Sequence, residues 1–242
     1  GVHAENDDLL NFLIAEAVKE GRKGAHVHAE TRPVITESEA IGRAIQMAEA
    51  VNGRLYIFHM TTAAGTAKVI DSRRRGHKIH AETCAQYLTL TDEVFYRPDG
   101  HHFATCPPLR KKEDQDVLWR ALAEGDVEVV STDTCTFTSE QKAMWEGDFR
   151  KIPFGMPGVE TLLPLLYTEG VRSGRITEEH LIRILCEQPA RRFGLFPRKG
   201  VVAVGTDADL VVFDPEMSFT ITPKNLATNC DYSPYEGKVV QG

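Results

Sequence analysis

The chain has 242 residues, 42 % of them hydrophobic and 26 % charged, with 28 Lys and Arg against 35 Asp and Glu for a net charge of −7. That composition excludes a disordered chain, which needs low hydrophobicity and high net charge, and the acidic balance argues against a general nucleic-acid binder. No apolar run approaches the roughly 18 residues of a membrane helix, and the length allows one or two domains around a sizeable core.

The first residues, GVHAENDDLL, carry the pattern of neither a signal peptide nor a transit peptide. Gly1-Val2-His3 reads instead as the end of a strand, so the chain is expected to be the C-terminal part of something longer. Asp7 to Lys19 has helical period, with Asn6 or Asp7 as cap and Gly21 as stop. A polar loop is expected up to Pro33. Thr36 to Ala50 reads as a second helix, because Thr36 and Glu39 have capping-box spacing. Arg54 to Met60 is short, apolar and β-branched, and reads as a buried strand. A helix from Ala63 to Arg75 follows, then a strand from His77 to Thr83, a helix from Lys112 to Glu124 and a strand from Val127 to Asp133. Strands alternating with helices predict a parallel α/β structure. Pro157 to Gly174 and Thr177 to Leu195 read as two more amphipathic helices, and the Val-rich stretch from Gly200 to Phe213 as a small β unit. The domains are therefore expected at 1–196 and 197–242, without internal repeats.

Three polar residues stand at strand ends: His3, His59 and Asp133. A parallel barrel assembles its active site at that face from several strands. Two imidazoles and a carboxylate suit a divalent metal such as Zn²⁺, which acidifies a bound water while the carboxylate handles its proton. His26 and His28 form a tempting HxH pair, but residues i and i+2 share a face only in a strand, and these lie in the polar loop. His101 and His102 follow the Pro98-Asp99-Gly100 turn signal and read as loop residues, and His77, His80 and His180 carry no ligand pattern either. The five cysteines (Cys84, Cys106, Cys135, Cys186 and Cys230) include no CxxC pair and read as reduced thiols of a cytosolic protein. Neither Cys84 nor Cys106 has a local context that lowers a thiol pKa. Arg73-Arg74-Arg75 reads as a solvated helix end rather than a nucleic-acid patch.

Six stretches in order carry a resemblance. They are Val2–Asn6, Phe58–Thr62, Ala81–Leu88, Cys106–Arg110, Ser131–Phe137 and Lys151–Glu160. With the tail from Lys199 to Val211, they resemble the cyclic amidohydrolases, the dihydropyrimidinase or hydantoinase branch above all. The resemblance implies a (β/α)₈ TIM barrel, of which about strands 5 to 8 are present, plus part of a small β-sandwich. It implies two divalent metal ions, usually zinc, with His3 and His59 closing strands 5 and 6 on one metal. Asp133 would close strand 8 on the other and serve as general base. A hydroxide shared by the metals would attack the ring amide of a hydantoin or 5,6-dihydropyrimidine. Main-chain groups near Cys106 and Phe154 would hold the ring. The family's first HxH pair and its bridging carboxylated Lys are expected upstream of His3, so three of six protein ligands would lie in this chain. The resemblance further implies a cytoplasmic homo-oligomer, a tetramer or dimer, acting on a small cyclic amide, with no nucleic-acid or membrane partner.

Three positions depart from the pattern. Phe154 stands where Asn is frequent, Thr134 where His or Asn is common, and Ala85 where Pro is frequent. Allantoinase- and dihydroorotase-type enzymes are the neighbouring readings, although Glu82-Thr83-Cys84-Ala85-Gln86-Tyr87 fits hydantoinase better. A non-catalytic relative acting as a scaffold is the alternative from another class. Retention of His3, His59 and Asp133 favours the enzyme.

Overall fold

The computed structural model describes residues 1–242. Helix α1 (Asp7–Lys19) starts where the Asn6 side chain accepts the Leu9 amide, and its buried stripe includes Leu10 and Ala17. A short helix α2 (Ala25–Glu30) occupies the stretch expected to be loop. Its polar composition hides it, because its only buried apolar residues are Ala25 and Val27. Helix α3 (Val34–Ala50) begins two residues before the expected start. Pro33 precedes the first turn, where a missing N–H costs nothing, and Thr36 donates its hydroxyl to the Pro33 carbonyl instead of capping.

Strand β1 (Arg54–Ile57), helix α4 (Ala63–Arg74), strand β2 (Lys78–Cys84), helix α5 (Ala85–Thr89), helix α6 (Lys112–Glu124) and strand β3 (Val129–Ser131) follow in order. The strands form one parallel sheet in the order β1-β2-β3, with Ile57 opposite Ala81 and Cys84 opposite Ser131. Val2 extends it by a parallel bridge to Ile57, its amide on the Tyr56 carbonyl at 2.9 Å. One face of the sheet is apolar, with Ile57, Ile79, Ala81 and Val130 buried, while the other carries Glu82, which accepts hydrogen bonds from Tyr56 and Ser131. Its strand ends all point to one rim, and that rim carries His3, His59 and Asp133. These observations establish a parallel α/β unit.

The remaining helices are short: α7 (Ser139–Ala143), α8 (Leu162–Leu166), α9 (Glu178–Ile182) and α10 (Gln188–Arg192). The helix expected from Pro157 begins only at Leu162, and it widens into a π-type turn over Tyr167–Arg172. A second π-type turn, Arg183–Glu187, joins α9 to α10.

Residues 201–213 contain no strand, contrary to the expected β unit, and Val202, Val204, Val211 and Val212 stand exposed. The β pairing in this part of the chain lies later. Strand β4 (Ser218–Thr220) pairs antiparallel with β5 (Val239–Gln241). Ile221, Tyr235 and Val240 form a small apolar cluster with Leu165 of α8. Lys238 pairs with Glu169 at 2.7 Å, and the Gln241 amide reaches the Thr168 hydroxyl at 2.9 Å.

Candidate active site at the strand ends

His3 and His59 meet. The Nδ1 of His3 lies 3.0 Å from the Nε2 of His59, with the rings edge to face at 4.7 Å between centroids. Adjacent parallel strands bring them together, because the Val2–Ile57 bridge sets both residues just past the last paired positions. The other nitrogen of His3, Nε2, is 3.1 Å from Glu5 Oε2, and Arg32 Nη1 holds the same carboxylate oxygen at 2.6 Å. A carboxylate that accepts a hydrogen bond from Nε2–H leaves the Nδ1 lone pair facing His59, the orientation that carboxylates give to ligating histidines. Burial pushes the Glu5 carboxyl up, but the His3 hydrogen bond and the Arg32 charge outweigh it, so the group stays below its usual range. His59 is lowered by burial and by the neighbouring imidazole of His3, against the opposing charge of Asp133.

Two backbone features mark the same rim. His59 and Asp133 both adopt left-handed conformations, with φ of 37° and 47°. Side chains other than glycine rarely tolerate this, and such strain concentrates at functional positions. Asp133 follows β3 by two residues and is exposed. Burial raises Glu82, Cys84 and Cys106, and the nearby charge of Asp133 adds to each. No three His, Cys, Asp or Glu side chains are gathered closely enough to hold an ion without further donors. The donor chemistry nevertheless fits a divalent metal at His3 and His59. Their facing nitrogens, His3 Nδ1 and His59 Nε2, are about as far apart as two ligands on one tetrahedral ion with bonds of about 2.0–2.1 Å.

The segments expected to hold a substrate also adjoin each other. The Gly155 amide donates to the Ala104 carbonyl at 2.8 Å. A Cβ on Gly155 would fall 2.5 Å from the Cys135 carbonyl oxygen, and its φ is 136°, so this close approach needs glycine. The Phe154 ring stacks on His28 at 4.4 Å, and the Arg32 guanidinium stands 5.8 Å from its centroid. Arg32 therefore links the Phe154 wall to Glu5 and through it to His3. Burial lifts the Cys106 thiol to about 12 and the Cys84 thiol well above its usual value, which leaves both unsuited as nucleophiles.

His26 and His28 part company on α2. His26 stacks on Tyr96 at 5.2 Å, whereas His28 is 1 % exposed and donates from Nε2 to the Thr105 carbonyl at 2.8 Å. Both are accounted for without a metal. His101 stacks on Trp145 and His102 on Tyr232, away from the strand ends. Glu5 and Arg32 were missed by sequence reasoning, which weighed His28 only as a metal ligand and not as a packing partner of Phe154. Only Glu5, two residues beyond a candidate ligand, carried a local signal.

The amidohydrolase family matches residues 4–240. The chain belongs to that family. Among characterised amidohydrolases it is 41 % identical to a D-hydantoinase of Geobacillus stearothermophilus and 43 % identical to one of Ralstonia pickettii, each over all of this chain. Those matches take in 52 % and 53 % of the relatives, so this amidohydrolase chain spans about half their length. Solved structures agree. A D-hydantoinase from Bacillus sp. AR9 and a dihydropyrimidinase from Brevibacillus agri superpose on 99 % of the chain, each with a TM-score of 0.97 at 42 % identity and over 53 % of its own length. The likeness to hydantoinase-type cyclic amidohydrolases therefore holds in both sequence and fold.

Proposed function

We propose that this chain forms part of a metal-dependent hydrolase that opens the amide bond of a hydantoin or 5,6-dihydropyrimidine. The observation that carries the reading is the His3–His59 pair, nitrogen to nitrogen at 3.0 Å with Glu5 fixing the outer nitrogen of His3. His3 and His59 would hold one metal ion and Asp133 would reach a second, with zinc the expected ion. When bound, the ions supply Lewis acidity at the ring carbonyl and a water acidic enough to attack near neutral pH. Asp133 takes the proton of the attacking water and passes it to the leaving ring nitrogen, a role its exposed position on the rim allows. The backbone beside Cys106 and Phe154 orients the ring, and Arg32 ties that wall to the metal side through Glu5. The hydantoinase-type relatives support the substrate class, and a homo-oligomer is the expected assembly.

The test is metal analysis and turnover of the intact protein on hydantoins and dihydropyrimidines, before and after chelation. Stoichiometric metal, turnover, and loss of both on chelation with recovery on adding zinc are expected. Full turnover by metal-free protein would overturn the mechanism. Metal-loaded protein that opens no cyclic amide would overturn the substrate class.

A further inference from the structure

Lys142 on α7 is fully buried, and no carboxylate lies within ion-pair reach of it. Long cationic side chains are almost never fully buried without a partner, because desolvating the charge is costly. Its ammonium makes one hydrogen bond, from Nζ to the Pro153 carbonyl at 2.6 Å, and sits 5.6 Å from the centre of the Phe137 ring. The peptide it grips leads directly into Phe154. On the far side of that residue, the Gly155 amide is tied to Ala104, two residues before Cys106. Gly155 itself lies against the backbone of Cys135, two residues after Asp133. The segment 153–155 is thus clamped from α7, from the Cys106 side and from the Asp133 side.

We propose that Lys142 is a positioning residue that fixes the Pro153–Gly155 backbone at the height needed to receive the substrate ring, so that a buried cation, never touching substrate, sets substrate affinity. This rests on the hydrolase reading above, because it takes the 154 segment as a wall of the substrate site. The groups facing the ammonium are the thiols of Cys106, Cys135 and Cys230 and the imidazoles of His101 and His102, with no carboxylate among them. Burial accordingly pulls the Lys142 amine down to about 8. A lysine kept here without a counter-charge suits a fixed donor for one carbonyl better than a stabilising ion pair. An apolar side chain of the same length would fill the space at lower cost.

The experiment compares the intact, metal-loaded protein with Lys142→Met and Lys142→Gln. For Lys142→Met, KM for a cyclic amide should rise at least tenfold while kcat changes less than threefold. Metal content and thermal midpoint should hold. Amide exchange at Gly155 should quicken at least tenfold while that of Ile79 in β2 stays unchanged. Lys142→Gln, which keeps a shorter donor, should fall between the two in KM. An unchanged KM in a folded Lys142→Met protein overturns the proposal, as does a failure of both variants to fold, which would assign Lys142 to the fold alone. If the unsubstituted protein opens no cyclic amide, the hydrolase reading fails by itself. Exchange at Gly155 still decides whether Lys142 fixes the segment.

Discussion

Asp133 sits at φ 47°, a conformation that Asp and Asn accept more readily than other side chains. Asp133→Asn should therefore keep the fold and its thermal midpoint while turnover falls by at least a thousandfold, because the amide can neither take the proton nor bind metal as a carboxylate. Steady-state kinetics on the intact protein check this, and near-normal turnover would remove Asp133 from the role. His28 gives a pH prediction. Burial lowers it from 6.5 to about 3, with the Arg32 charge adding to the effect. Between those values the unfolded chain binds a proton that the folded chain refuses, so stability is complete above pH 6.5 and drains away as pH falls towards 3. The loss attributable to this group is on the order of 5 kcal/mol. Urea unfolding from pH 7 to 4 should show that slope, and His28→Gln should flatten it. An equal slope in both proteins would assign the acid sensitivity elsewhere. His3, His59 and Asp133 were legible because position at a strand end is a local property of the sequence. Glu5, Arg32, His28 and Lys142 take their meaning from partners as far as 77 residues away, as with His28 and Thr105, and no local pattern announces such a pairing.

Helix α3 does more than cover the sheet. Its Glu37 is 1 % exposed and accepts the amides of Thr61 and Thr62 at 2.9 and 3.0 Å, as well as both threonine hydroxyls. Arg110 completes the arrangement by donating to the Thr61 hydroxyl at 2.9 Å and to the Arg32 carbonyl. One carboxylate thus fixes the turn that leaves His59 and starts α4, whose cap is the Thr62 hydroxyl bonded to the Gly65 amide. Glu37→Ala would leave two buried amides without their acceptor and Arg110, whose Nη2 lies 3.6 Å from the carboxylate, without its counter-charge. It should cost about 3 kcal/mol or more in urea unfolding, with the slope against denaturant unchanged. A loss under about 1 kcal/mol would mean that water replaces the carboxylate. The sequence showed α3 by its capping-box spacing but misplaced its start. Thr36 and Glu39 have the spacing of a capping box, yet Pro33 opens the helix earlier, and Glu39 is engaged by the Asn6 amide at 2.5 Å. Helix α2 escaped notice because six residues with two buried aliphatics show no period.

At the scale of the molecule, alternation of apolar strands and amphipathic helices was enough to read a parallel α/β sheet, because that pattern repeats along the chain and needs no distant partner. The later β pairing was misread, since valines alone do not say whether a partner strand is present. The outer edge of β3 carries no strand, and β1 is joined on its far side only at Val2. With the exposed valines of 201–213, these edges predict that residues 1–242 expressed alone associate at micromolar concentration. Sedimentation checks this, and a clean monomer would overturn it. The valine-rich stretch has another consequence. It offers accessible backbone with few hydrogen bonds to an endopeptidase that cuts after small aliphatic residues, such as elastase. The part beyond it is anchored elsewhere, through Ile221, Tyr235 and Val240 on Leu165 and through Lys238 on Glu169. A cut near Val204 should therefore yield two pieces on a denaturing gel that still elute as one particle, a split protein held together where its C-terminal strand pair docks on Leu165 and Glu169.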